Sequence, residues 1–328
     1  MLMKQEFRTI VKPLPCRGLI NHRQGMMMLG SCFTDNIGQR LRQACFDVEI
    51  NPFGTLYNPA SIACGIDAII KCRRYSLDDL FQVEGDKRWH SFSHQSVFSS
   101  VDSQSMLENI NEKVEDAHEM LKRVSTLIIT FGTAWVYESH DTGKVVSNCH
   151  KLPASKFNRR MMSIDEIVSM WRSVIDEIKM LNESVRVLFT VSPIRHLRDG
   201  AHENQLSKST LLLAINQLER ECDNVIYFPS YEIMNDDLRD YRFYASDMTH
   251  PSEVAVDYIY ELFSHSFFDD DTIMLAEKCV KLSKRLLHKP MSDDHEAIER
   301  FAQSTNKLKI EMLQQYPFLE AAISNISK

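Results

Sequence analysis

The sequence predicts a three-layer α/β/α sandwich with a mainly parallel sheet, and three observations lead there. Five short, largely apolar runs recur: Met26–Leu29, Val48–Phe53, Thr126–Gly132, Arg186–Val191 and Val225–Phe228. Helical periodicities stand between most of them, which calls for right-handed crossovers between parallel strands. The runs are continuous rather than alternating, the pattern of strands covered on both faces.

Taken in order, Met26–Leu29 runs straight into Gly30-Ser31-Cys32-Phe33. A helix follows from about Thr34, with Ile37, Leu41 and Cys45 spaced by four on one face. After Val48–Phe53 and Gly54, Asn58-Pro59 offers a cap and a first helical residue for the run Ile62, Ile66, Ile69, Ile70. Residues 75–102 are rich in Ser, His and aromatics and read as an excursion over the surface, with His90 and His94 exposed. Ser103–Arg123 reads as a polar amphipathic helix, and Val136–Val146 as a hairpin turning at Asp141-Thr142-Gly143. Ser163-Ile164-Asp165-Glu166 fits a capping box and opens a helix to about Asn182. A further helix spans about Ser207–Cys222. From Asp269 the pattern changes to two helical runs, 272–288 and 292–324, separated by Pro290. The division expected is a catalytic domain over 1–268 and a helical extension over 269–328, the extension being a candidate lid or homo-oligomer contact.

Bulk properties narrow the function. Hydrophobic residues make up 44% and charged residues 25% of the 328, ordinary values for a globular chain. The net charge of −7 and the lack of a long basic run argue against nucleic acid as partner. No stretch approaches the roughly 18 apolar residues of a membrane span, and the first residues lack a signal-peptide h-region. Eight cysteines scatter through apolar segments without a CxxC pair, as buried free thiols do, so a reducing, cytoplasmic address is expected. Neither GxGxxG nor GxxxxGK[ST] follows any strand, which disfavours dinucleotide and NTP chemistry.

Small residues gather at the strand ends, where parallel sheets bind ligands: Gly30-Ser31, Gly54, Gly132-Thr133 and Ser192-Pro193. Asp247-Met248-Thr249-His250 adds an acid and an imidazole on one tight loop. A hydroxyl attacks only when a base takes its proton, and the base needs an acid to fix its tautomer. Asn148-Cys149-His150-Lys151 and Arg195-His196 are candidate substrate contacts through Asn148, His150, Arg195 and His196. No Cys/His cluster at zinc spacing accompanies them, so no metal is expected.

A candidate nucleophile, Ser31, after the first strand, glycines at later strand ends and a DxxH before the last domain helix resemble the SGNH hydrolase superfamily. Gly30-Ser31-Cys32-Phe33-Thr34 resembles more narrowly the signature that names the GSCFA-domain family, with Thr34 in place of alanine. Asn51–Pro59, Thr130–Trp135, Asn148–Lys151 and Ser192-Pro193 are similar to further motifs of that family. The resemblance covers roughly 20–265 and implies an SGNH-like fold with acyl-ester or acyl-transfer chemistry. It implies Ser31 as nucleophile, Asp247 and His250 as acid and base, and the N–H groups of Ser31 and Gly54 as oxyanion donors. No cofactor is implied. The substrate class expected is an acyl ester, acetyl among them, of a carbohydrate or small metabolite.

The pattern breaks where the superfamily has Asn two residues after the third-strand glycine, because this chain has Ala134. Thr133, Asn148 and His150 are the candidates to replace that donor. Two rivals to a serine enzyme remain: a ligand-binding module without efficient turnover, favoured by Ala134, and a thiol enzyme using Cys32, whose position at a helix start lowers a thiol pKa. The resemblance selects Ser31 and leaves Cys32 as a structural thiol.

Overall fold

The computed structural model describes residues 8–288 and 294–326. Pro290 and the start of the second tail run lie outside the described residues. Strand β1 (Gly25–Gly30) leads into helix α1 (Cys32–Gln43), strand β2 (Val48–Ile50) and helix α2 (Pro59–Ile70). The excursion carries a two-residue ladder, β3 (Phe81–Gln82) with β4 (Trp89–His90), before helix α3 (Ser103–Leu121) and strand β5 (Val124–Phe131). An antiparallel trio follows: β6 (Trp135–Ser139), β7 (Val145–Val146) and β8 (Phe157–Met161). Helix α4 (Ile164–Leu181), strand β9 (Arg186–Val191), helix α5 (Gly200–Glu221) and strand β10 (Val225–Phe228) close the alternation. A short turn α6 (Ser230–Glu232) and helix α7 (Glu253–Phe267) precede tail helices α8 (Asp270–Leu286), α9 (His295–Gln315) and α10 (Glu320–Ile326).

The main sheet has the order β10-β9-β5-β1-β2, and every pairing is parallel. The chain steps from β1 outward to β2, then returns past β1 to β5. The topological switch therefore lies between β1 and β5, and a crevice opens at their carboxyl ends.

Strand periodicity sorts the core into two layers. Met27, Leu29, Leu127, Ile129, Val187 and Phe189 pack toward α2–α5, around the fully buried Trp171. Met26, Met28, Ile128 and Leu188 face the other way, onto Phe33, Ile37 and Leu41 of α1 and Ile259 and Phe263 of α7. Each large side chain so buried contributes about 1.5–3 kcal/mol.

Local signals act as the sequence predicts at several ends. Asn58 accepts from Ser61 N at 2.8 Å with Pro59 in first place, and Ser163 and Glu166 form a reciprocal capping box. Other expectations are corrected. Helix α5 starts at Gly200 rather than Ser207, its first turns being polar and so outside the apolar periodicity. The predicted hairpin gains a third strand, β8, whose polar centre Asn158-Arg159-Arg160 hides its pairing with β6. The long second tail run breaks into α9 and α10 at Tyr316–Leu319, where Pro317 cannot continue a helix.

His90 and His94 are buried, not exposed, because the excursion folds back on its own aromatics: Phe53, Tyr75 and Phe98 surround the His94 ring. The eight cysteines are free, but Cys64 and Cys72 are exposed rather than buried. Tail helices pack on the carboxyl end of α1, where Leu275, Cys279, Leu282, Met312 and Ile323 enclose Cys45 and Ser283 Oγ donates to Gln43 O at 2.6 Å. That contact sits at the far end of α1 from the crevice. Among the described residues no helix is long and apolar enough to cross a membrane.

Candidate active site

Strand β1 ends in Gly30, which has φ +152°, and a Cβ there would collide with Thr130 O of the neighbouring strand. Only glycine allows that approach. Ser31 then caps α1: its Oγ accepts from Phe33 N at 3.3 Å, and the residue is 0% exposed. Cys32 is the first helical residue and is half-buried. Asn51, at φ +48°, braces the turn by accepting from Gly30 N at 2.8 Å and donating to Asp35 Oδ1 at 2.7 Å.

The Asp247–His250 loop lies opposite. Asp247 Oδ1 accepts from the N–H groups of Thr249 and His250, each at 2.9 Å, with Met248 at φ +60° to close the turn. Asp247 Oδ2 meets His250 Nδ1 at 2.6 Å. These backbone donors, with the imidazole added, hold the Asp247 carboxyl far below the usual carboxylate range. The bond to Nδ1 leaves Nε2 to face the helix start, where it meets Cys32 Sγ at 3.7 Å.

The contact to the imidazole comes from Cys32 Sγ, while Ser31 Oγ accepts from Phe33 N. No hydrogen bond joins Ser31 Oγ to His250 among the described residues. The cap position turns the Ser31 hydroxyl back onto the helix it starts, and the next residue projects to the imidazole. The cue was present in the sequence, since Ser is a preferred cap immediately before a helix.

Burial first, and the Asp35 carboxylate second, push the Cys32 thiol pKa up, while the N–H groups of Cys32 and Phe33 pull it the other way. The thiol stands 3.7 Å from the His250 imidazole.

Two expected oxyanion donors are committed elsewhere. Gly54 N donates to Asn51 O at 2.7 Å within a tight turn where φ is +76°. Thr133 N donates to Tyr57 O at 2.9 Å, and Thr133 Oγ1 pairs with Ser207 Oγ at 3.1 Å. Ala134, at the position of the expected amide, is fully buried with its N–H on Ser207 Oγ at 2.8 Å.

Asn148 and His150 knit their loop to the excursion. Asn148 Oδ1 accepts from His150 N at 2.9 Å, and His150 Nε2 meets Ser91 O at 2.8 Å. Arg195 is exposed and donates to Asn235 Oδ1 at 2.9 Å. Of the four predicted substrate contacts, His196 borders the crevice at Gly132. Gly132 marks the spot: a Cβ added there would lie 3.4 Å from His196 Nε2 and 3.5 Å from Ser31 Cβ.

One residue of the site carries no sequence signal. Lys208, on α5, is 0% exposed, and its ammonium donates to Gly132 O at 2.6 Å and Ser192 O at 2.7 Å. It ties the ends of β5 and β9 together beneath the crevice. Burial pushes its pKa down to about 7, with Cys32 acting in the opposite sense. A lysine in an apolar helical stretch reads as a solvated charge, so only its helix phase, one residue after Ser207 and three before Leu211, could have pointed inward. Among the described residues no group of three or more His, Cys, Asp or Glu could hold a metal ion.

Solved structures with a similar fold include a family two carbohydrate esterase from Clostridium thermocellum in complex with cellohexaose. It is 11% identical with TM-score 0.37, over 78% of this chain and 64% of that one. An acetyl xylan esterase from the rumen bacterium Butyrivibrio proteoclasticus is 12% identical with TM-score 0.37, over 79% and 64%. A carbohydrate esterase family 2 enzyme with a carbohydrate binding domain from Corynascus thermopiles is 12% identical with TM-score 0.36, over 78% and 67%. The chain thus spans just under two thirds of the length of the first two. No curated protein matches. The GSCFA family model matches residues 25–263, which takes in every sheet strand and both halves of the crevice, and the chain belongs to the GSCFA family.

Proposed function

We propose that the protein hydrolyses or transfers an acyl group through a thioester on Cys32, with His250 as base and acid and Asp247 as its orienting partner. The observation that carries this reading is the pair of contacts on one imidazole, Asp247 Oδ2 at 2.6 Å on Nδ1 and Cys32 Sγ at 3.7 Å on Nε2.

The chemistry follows from those contacts. Nε2 takes the thiol proton as sulfur bonds to the acyl carbon, and the carbonyl electron pair moves onto oxygen. The pair returns as the carbon–oxygen bond of the ester breaks, and the imidazolium gives its proton to the departing alkoxide. Water, or an acceptor hydroxyl, then loses a proton to Nε2 and attacks the thioester. That attack releases the acid or the new ester and restores the thiol. Cys32 stands at a helix amino terminus, where backbone N–H groups favour developing negative charge. Ser31 serves as the cap that sets the direction of α1.

Acetylated carbohydrates and small acetyl esters are the first substrates to test. Cys32→Ala and His250→Ala are expected to abolish turnover, while Ser31→Ala retains turnover on a less stable fold. Full activity in Cys32→Ala, with loss in Ser31→Ala, would return the nucleophile to the serine. Tight ligand binding by the wild type without turnover would make the protein a binding module.

A further inference from the structure

The crevice holds a buried polar atom with no partner. His196 Nε2 is shielded from solvent and makes no hydrogen bond among the described residues, although its backbone N–H is anchored on Asn204 Oδ1 at 2.9 Å. Leaving such an atom unpaired typically costs about 1–3 kcal/mol, so it calls for an explanation. The ring is held against Tyr57, edge to face with centroids 6.0 Å apart, and Nε2 looks onto the bare face of Gly132 that Ser31 Cβ also borders. Gly132 is locked in turn by Lys208 on its carbonyl and by Tyr57 O on its N–H at 2.7 Å.

The same neighbourhood lacks the side-chain donor of the expected set. Ala134 has no side-chain N–H, and Gly54 and Thr133 spend theirs on the surrounding turns. A tetrahedral adduct on Cys32 places a full negative charge on oxygen in this crevice, and preorganised donors there are the largest single contribution to such reactions. We infer that His196 is a catalytic residue: its neutral ring donates Nε2–H to the oxyanion of the acyl adduct, in place of the missing amide.

The surroundings keep the ring in the required form. Burial first, then the positive charge of Lys208 and the nearby His250, push the His196 pKa down to about 4. A neutral imidazole at working pH presents a donor without a competing counter-ion, and it does not take the proton that His250 must carry. The unpaired Nε2 of the resting protein is a donor waiting for an acceptor that exists only during the reaction.

This inference rests on the acyl-transfer reading, so its test separates the two. Turnover of a chromogenic acetyl ester is measured in the wild type, His196→Phe, His196→Gln and Cys32→Ala. Alkylation of Cys32 by iodoacetamide is measured in parallel, because displacement at a saturated carbon forms no oxyanion. The expected result is a fall in kcat of about 10²–10³ for His196→Phe with KM changed little, and partial recovery in His196→Gln, whose amide can donate. Cys32 alkylation stays within about twofold of wild type in both variants. Turnover of His196→Phe within about threefold of wild type overturns the inference, as does a parallel loss of turnover and alkylation, which would make the ring a packing element. Wild-type turnover that survives in Cys32→Ala, or no turnover by the wild type on any ester, refutes the underlying reading instead.

Discussion

Two sets of histidines occupy this molecule, and they differ in what faces each ring. His250 has a carboxylate on Nδ1, a sulfur on Nε2 and a side chain 47% exposed. His90, His94 and His150 cluster under the excursion with hydroxyls and carbonyls: Ser99 Oγ at 2.8 Å, Ser91 Oγ at 2.9 Å and Ser91 O at 2.8 Å. The His90 and His150 rings lie 4.7 Å apart. In sequence both sets look alike, a histidine beside serine, asparagine or aspartate. The difference is that only His250 combines an acid behind it, an acceptable proton donor before it and an approach from solvent. In the buried set only His90 has a carboxylate near it, Asp86 Oδ2 at 3.4 Å from Nε2, while burial pushes the His94 and His150 pKa values down, so these rings hold the excursion together.

The widest test of that contrast is Asp247→Asn. If the carboxylate sets the tautomer of His250, kcat falls by roughly 10⁴ while the thermal unfolding midpoint stays close to wild type. A loss below tenfold would place His250 with the structural set.

The buried set is tested by acid. Burial depresses the His94 pKa to about 3, against about 6.5 in an unfolded chain. Between those values the unfolded state holds the extra proton, so this stability is complete above pH 6.5 and is lost as pH falls toward 3. His94→Phe is expected to flatten the decline in unfolding free energy between pH 6.5 and 4, by on the order of 3 kcal/mol at the acid end. An unchanged pH slope would show that His94 is not a buried neutral ring. His22, stacked on Phe46 and depressed to about 4 mainly by burial, adds to the same slope in both proteins.

A smaller effect separates structure from substrate contact. His150→Ala removes the bridge to Ser91 O and is expected to destabilise by about 1–3 kcal/mol, with KM for ester unchanged within twofold. A KM rise of tenfold without destabilisation would restore His150 to the substrate site. Smallest of all, Arg195→Ala removes one exposed contact to Asn235 and should shift stability by no more than about 0.5 kcal/mol.

Much of the fold was legible because local rules and global topology agree here. β9 and β10 begin and end at the residues read from the apolar runs, and the Ser163–Glu166 box opens α4 as written. Misread segments are those whose structure depends on partners distant in sequence. β8 is polar and pairs only because β6 lies beside it, and His90 and His94 are buried only because the excursion doubles back.

At the site, the Asp247–His250 pair was legible because three residues of loop hold both groups together. Which of Ser31 and Cys32 contacts the imidazole was not, since one step along a helix start rotates a side chain from the cap to the crevice. Lys208 was invisible for a different reason: a buried ammonium satisfied by the carbonyls of Gly132 and Ser192 exists only once β5 and β9 are side by side.

In the proposed mechanism sulfur at position 32 is the attacking atom. Rapid quenching of the protein with an activated acetyl ester, followed by fragment-resolved mass spectrometry, locates the acyl group directly. The expected result is a single acetyl on Cys32 that neutral hydroxylamine removes, as it does a thioester. A hydroxylamine-resistant acetyl on Ser31 would contradict it.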